Sequence, residues 1–353
     1  FIGVAADELD VERASLMLVT PDGSTLEIVR CLGLPEGFLG KRVPISSSIS
    51  GWVAENQLPL FVSDISKMPD VVHMGFRLND PSFISVPLER KSVSIDDFGI
   101  SDRKQSEVIA VLNVSAKESG RAFAQSDLKA LNILANHAAA ALENVRLIRD
   151  IEDAQREVIY TLGEIVETRS RETGNHVNRV AEYCRLLAIR CGLSKTQSEI
   201  LRLAAPLHDV GKVGIPDAIL NKPGKLTPEE FNVIKTHCQI GYDMLRKTKG
   251  SVLQAGALIA YQHHEHYDGN GYPQGLRGKE IHVFGRIAGI ADVFDALGVE
   301  RIYKKAWPLD AILDYFRENR GKQFDPELVD IFFHNLNDIL AIRDASPEQR
   351  AAC

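Results

Sequence analysis

Seven of the ten histidines in this 353-residue chain fall between His176 and His282, and several have an acidic neighbour. Glu172 and His176 are four apart, a spacing that puts two side chains on one face of a helix. His208 and Asp209 are adjacent in the apolar run Leu203-Ala-Ala-Pro-Leu-His-Asp-Val-Gly-Lys212, which reads as helix. His237 follows, then the pair His263-His264, then Asp292 within Ile287-Ala-Gly-Ile-Ala-Asp-Val-Phe-Asp295. An ionisable group in apolar surroundings is costly unless something satisfies it. One such histidine is most often a hydrogen-bonded core residue. Five imidazoles and three carboxylates point instead to metal ions. Mixed imidazole and carboxylate sets suit iron, manganese, zinc or nickel, and they do not suit calcium.

The elements that must position these residues change character along the chain. Ala14-Ser-Leu-Met-Leu-Val-Thr20 is a β-rich run closed by the turn Pro21-Asp22-Gly23, and residues 25–29 alternate as a returning antiparallel strand. Residues 61–63, 82–88 and 108–114 read as further strands, with the polar stretch from Glu89 to Glu107 as a loop. From Ser126 the apolar residues recur at threes and fours, through Leu128, Leu131, Ala135, Ala138, Leu142 and Val145. The stripe resumes at Ile148, Ile151, Val158, Leu162 and Ile165 after a change of phase near Arg149-Asp150, a place where a hinge is expected. A narrow seam on so long a helix is either docked on its own domain or paired with a second copy, and a homodimer is the expectation carried forward. After Tyr160 the pattern is helices joined by Gly/Pro turns, and Thr227-Pro-Glu-Glu230 is a capping box. The expected fold class is therefore α+β: an α/β domain over 1–125, a connecting helix over 126–168 and an all-α domain over 155–344.

Composition sets the frame. The chain is 44% hydrophobic with a formal net charge of −7, which disfavours a nucleic-acid polymer or a membrane surface as partner. A small anionic substrate remains compatible, because bound cations supply local positive charge. The five cysteines are scattered, without CxxC spacing, and fit a reducing cytoplasm better than a disulfide framework or a zinc ribbon. No run is apolar enough to span a bilayer and no signal peptide is visible. The chain opens at Phe1, inside what reads as a folded domain, so removal of upstream sequence is expected.

His208-Asp209 followed by Val-Gly-Lys-Val-Gly-Ile-Pro-Asp217 resembles the core of the HD phosphohydrolase superfamily. His263-His264-Glu265-His-Tyr-Asp268-Gly-Asn-Gly271-Tyr272-Pro273 resembles the signature of its HD-GYP subfamily, and residues 219–227 and 234–237 also match. The resemblance covers roughly residues 155 to 335. It implies a bacterial signalling phosphodiesterase that opens cyclic di-GMP, with linear pGpG or, after a second cut, GMP as the final product. It also implies that His176, His208, Asp209, His237, His263, His264 and Asp292 bind metal, with Asp209 as a bridge. Lys212 should face the substrate phosphate, Gly271, Tyr272 and Pro273 should lie near the site, and Asp295, Arg301 and Lys304 should contact substrate. The chain departs from the family pattern at Tyr267, His282, Ile302 and Leu297-Gly-Val299, and none of these removes a ligand.

Two ions with about six positions each offer roughly twelve sites, of which a bridging carboxylate and a bridging hydroxide take about four. The remaining candidates leave scant room for a phosphate. A third ion with Glu172 among its ligands relieves the crowding, so a trinuclear site is favoured over a binuclear one, with Fe(II) or Mn(II) as occupants. The front domain resembles a GAF domain, through Ser50-Gly-Trp-Val-Ala54, Pro59-Leu-Phe-Val-Ser-Asp64 and the helix after Phe123-Ala-Gln-Ser-Asp127. Such domains often hold a small ligand, which the sequence does not identify. Two alternatives stand beside hydrolysis of cyclic di-GMP: a catalytically silent receptor for a cyclic dinucleotide, and an HD hydrolase of another one, such as cyclic GMP-AMP.

Overall fold

The structure is a computed structural model and describes residues 1–67, 82–96, 99–170, 174–299 and 306–345. It divides into two compact units, Phe1–Ile151 and Glu152–Cys353.

The first unit is built on an antiparallel sheet of six strands: β1 (Val11–Val19), β2 (Thr25–Leu32), β3 (Arg42–Pro44), β4 (Leu60–Val62), β5 (Phe83–Asp96) and β6 (Gly99–Lys117), in the order β3-β2-β1-β6-β5-β4. Alternation along β6 sorts its residues between two faces. Ala110, Leu112 and Val114 pack with Ala5, Ala6 and Leu9 of α1 (Ile2–Leu9) and with Leu131, Ala135 and Ala138 of α3 (Gln125–Arg169). Val111 and Met17 lie in a second cluster with Val53 of α2 (Ile49–Asn56), a helix capped by the Ser48 hydroxyl. On that face Asn113 accepts from Ser50 Oγ at 3.1 Å and Ser85 Oγ at 2.7 Å, and donates to Ser15 Oγ at 3.2 Å. Beside it is a cavity of about 520 Å³ lined by Met17, Ile28, Phe38, Val43, Ile49 and Asn113.

The stretch from Glu89 to Glu107, expected as a loop, instead forms the two arms of a hairpin whose register runs from Glu89↔Val108 to Asp96↔Gly99. Ladder hydrogen bonds come from backbone groups, so polar residues support them without leaving an apolar alternation to read. Helix α3 continues through the expected hinge at Arg149-Asp150.

In the second unit, α4 (Gly174–Arg190), α5 (Lys195–Ala204), α6 (Asp217–Leu220), α7 (Pro228–Leu245), α8 (Ser251–Gln262), α9 (Val283–Gly298), α10 (Leu309–Glu318), α11 (Pro326–His334) and α12 (Leu336–Asp344) surround one core. Its centre is aromatic: Phe316 stacks on Phe324 at 4.5 Å and on Phe332 at 4.9 Å, and Tyr183 meets Phe294 edge-on. The Thr227 capping box forms as the sequence predicts, and Ser194 with Gln197 makes another. Among the described residues, no helix is long and apolar enough to cross a membrane.

Candidate metal centre

The run around His208-Asp209 is not the continuous helix its apolar composition suggests. α5 stops at Ala204, and 3-10 turns over Ala205–Leu207 and Val210–Gly214 flank the pair. Pro206 removes a backbone donor and disfavours continuation of the α-helix. Gly211 then allows an unusually close approach: a Cβ there would stand 1.9 Å from the His237 carbonyl oxygen and 2.5 Å from the Gly241 nitrogen. That absent side chain brings α7, with His237, against the His-Asp turn.

Helices distant in sequence converge at this point. His176 sits in the first turn of α4, His237 in α7, His263 at the C-terminal end of α8 with His264 next, and Asp292 in α9. Neighbouring ring centroids are 5.7 Å apart for His176 and His208, 5.3 Å for His208 and His263, and 5.2 Å for His237 and His264. In each of four rings Nδ1 is engaged outside the cluster. His208 uses the Ala205 carbonyl at 2.9 Å, His237 that of Ile234 at 2.7 Å, His263 that of Ile259 at 3.0 Å, and His176 uses Asp295 Oδ2 at 2.7 Å. Holding Nδ1 in this way aims Nε2 inward, as metal-ligating histidines require.

Asp209 lies between two groups of nitrogens. Its Oδ2 is 3.3 Å from His208 Nε2, and its Oδ1 is 3.2 Å from His237 Nε2 and 3.7 Å from His263 Nε2. Asp292 Oδ1 is 3.5 Å from His176 Nε2 and 3.8 Å from His208 Nε2. The Nε2 atoms of His176 and His208 are buried with no hydrogen-bond partner. Buried polar atoms are rarely left so, and a shared cation satisfies both. The donor chemistry of imidazoles and carboxylates fits a transition metal.

The electrostatics divide the same residues. Burial opposes charge on His208, yet Asp209, Asp292 and Glu167 outweigh it and push the imidazole up to about 10. His176 is raised likewise, its burial overcome by Asp295 first, then Glu167 and Asp292. Burial followed by the neighbouring imidazoles holds His264 well below its ordinary value, and burial holds His263 down as well. Burial opposes ionisation of Asp209, but Lys212 and His208 overcome it and keep the carboxyl well below the usual range.

Lys212 Nζ is 2.6 Å from Asp209 Oδ2 and 3.9 Å from Glu167 Oε1. Tyr272 places its ring 4.8 Å from His264. Glu265 secures the surrounding loop by accepting from the backbone of Gln274 at 2.7 Å and Leu276 at 2.9 Å. Gly271 has no room for a side chain, since a Cβ would lie 2.2 Å from the His266 nitrogen.

Asp295, expected among the substrate contacts, is only 2% exposed and lies beneath His176, where Arg179 donates to both its oxygens at 2.7 and 2.9 Å. Its neighbours give it a positioning place. Glu172, Arg301 and Lys304 lie outside the described residues. A further carboxylate beside His176 and His208, besides Asp292, is that of Glu167, 1% exposed near the end of α3. Sequence reading missed it because it comes nine positions before His176 and on another helix, so no helical spacing links the two. It also missed Cys238, whose signal was adjacency to His237, and Arg179.

Residues 161–328 match an HD domain and residues 2–143 a GAF domain. The chain is 42% identical over 226 residues, 64% of its length, to the 3'3'-cGAMP-specific phosphodiesterase 2 of Vibrio cholerae, covering 43% of that protein. It is 46% identical over 183 residues, 52% of its length, to the cyclic di-GMP phosphodiesterase response regulator RpfG of Xanthomonas campestris, covering 48% of it. Identity to the cyclic di-GMP phosphodiesterase of Thermotoga maritima is 43% over 183 residues, 52% of this chain and 50% of that one. The chain thus spans about half the length, or less, of these curated relatives. It joins a GAF domain to an HD domain related to those of cyclic dinucleotide phosphodiesterases.

Proposed function

We propose that the HD domain hydrolyses cyclic di-GMP to linear pGpG, and GMP after a second cut. The observation that carries this reading is the convergence of inward-facing Nε2 atoms on the two oxygens of Asp209, with each supporting Nδ1 already engaged. His176, His208, Asp209, His237, His263, His264 and Asp292 would hold two or three divalent ions, Fe(II) or Mn(II), and Glu172 retains its place in the trinuclear version. Such ions supply a nucleophile at neutral pH by lowering the pKa of water, and positive charge for the transition state. Lys212 adds a cation beside Asp209 that can face a phosphate oxygen. Tyr272, beside His264, offers a ring to the nucleotide, flanked by Gly271 and Pro273. Arg301 and Lys304 are the proposed outer contacts to substrate.

We infer that the GAF domain regulates this activity through a small ligand in the cavity beside Asn113, and that the chain dimerises through α3. The free thiols of Cys31, Cys184, Cys191 and Cys238 suit the cytoplasm. A second substrate, cyclic GMP-AMP, is favoured by the name of the Vibrio cholerae relative. Anaerobic, metal-loaded protein incubated with each cyclic dinucleotide separates the readings by chromatography. Linear pGpG supports the first, and preferential opening of the mixed-base ring moves the assignment to the second. Binding without turnover would establish a silent receptor.

A further inference from the structure

Cys238 follows His237 on α7 and is completely buried. Its Sγ does not face only hydrocarbon. It lies 3.4 Å from His237 Nε2, the nitrogen that is also 3.2 Å from Asp209 Oδ1 and 3.5 Å from His263 Nε2. The sulfur and one nitrogen each from His237, His263 and His264 all fall within 4.8 Å of one another. With metal–nitrogen bonds of about 2.1 Å and metal–sulfur bonds of about 2.3 Å, ligands at the corners of one tetrahedron are roughly 3.4–3.6 Å apart. The measured separations around His237 Nε2 are close to such edges. Cys184 supplies an internal contrast: it is equally buried but belongs to the aliphatic and aromatic core of the second unit.

The geometry points to Cys238 as a sulfur ligand of the ion held by His237, His263 and His264. This rests on the metal-dependent reading of the HD domain and adds a donor to it. Burial, and after it the Asp209 and Glu265 carboxylates, disfavour the thiolate in the metal-free protein, but a coordinated dication deprotonates a thiol outright, the proton passing to solvent. Sulfur beside imidazole selects borderline ions such as Fe(II), Zn(II) or Co(II) over Mg(II) and Ca(II).

The test is anaerobic titration of metal-depleted protein with Co(II). A thiolate on cobalt gives an intense sulfur-to-metal charge-transfer band in the near ultraviolet. The band is expected in the unaltered protein and in Cys184→Ser, and absent in Cys238→Ser while the visible ligand-field bands remain. X-ray absorption of the unaltered iron form reads the same bond without a variant, as a sulfur scatterer at about 2.3 Å. Ligand-field bands with no charge-transfer band, or a band that persists in Cys238→Ser, would overturn the assignment and leave the thiol as a hydrogen-bond partner of His237. Failure to bind cobalt at all would overturn the metal-dependent reading along with it.

Discussion

His176 Nδ1 lies 2.7 Å from Asp295 Oδ2, and Arg179 grips the same carboxylate through two nitrogens. Two buried groups thereby fix one imidazole, its Nε2 turned toward Asp292 and His208. Outer partners of this kind commonly alter metal affinity by about 10–100-fold when lost. Asp295→Asn should weaken metal binding by that order, measured by titration of the metal-free protein at a temperature where it is folded. The variant also withdraws the carboxylate charge that Arg179 grips through two nitrogens, so the melting temperature should fall as well. Unchanged affinity would show that the Asp295 charge does not tune His176 as a ligand.

Much of this centre was legible in sequence because its donors stand in short, distinctive contexts: His208-Asp209 before Gly211, His237 closing Ile234-Lys-Thr-His237, His263-His264 before the Gly-Tyr-Pro loop. What escaped was whatever depends on tertiary approach. Glu167 and His176 meet only because α3 and α4 converge, and Asp295 sits in the same apolar run as Asp292, three residues away, yet meets the opposite nitrogen of His176. The hairpin beyond Glu89 was hidden for a different reason, since its ladder is a backbone property.

The metal-free protein should be most heat-stable near pH 6.5. His208 and His176 have folded pKa values above the unfolded one, so their contribution is full below about pH 6.5 and is lost as pH rises through about 10 for His208. His263 and His264 have lowered values, so theirs is present above about pH 6.5 and is lost as pH falls. Melting temperatures of chelated protein across this range should fall on both sides. His264→Ala should flatten the acid side, and a profile that climbs steadily to alkaline pH would contradict the charge assignments.

Gly211 separates packing from chemistry, since it donates nothing to the centre and yet governs the distance between His208 and His237. A methyl group there collides with backbone on α7, which no side-chain rotation relieves. Overpacking of this sort costs about 1–3 kcal/mol, or more where backbone must move. Gly211→Ala should lower the melting temperature and reduce bound metal, both read on one preparation by calorimetry and elemental analysis. Full metal content in a stable variant would mean that α7 can retreat without breaking the site.

Helix α3 presents Val158, Leu162 and Ile165 at spacings of four and three, with exposures of 58%, 45% and 59%. That stripe suits a second copy of the chain. Val158→Glu with Leu162→Glu should convert a dimer to a monomer in analytical ultracentrifugation while leaving the melting of the second unit nearly unchanged. A monomeric parent protein would remove the dimer proposal.

Glu265 offers a test of the loop that carries Tyr272. Its oxygens receive the backbone N–H groups of Gln274 and Leu276, so the carboxylate holds the far side of the Gly-Tyr-Pro turn in place. Glu265→Ala withdraws both acceptors and leaves the two N–H groups to solvent, which frees the turn to move. If Tyr272 acts in substrate binding, the variant should raise KM by about tenfold or more, roughly 1.4 kcal/mol, and leave the metal content intact. Glu265→Gln keeps one acceptor oxygen and should fall between the two. A drop in kcat with KM unchanged would instead mean that the loop positions the metal ligand His264, and would remove Tyr272 from the substrate contacts.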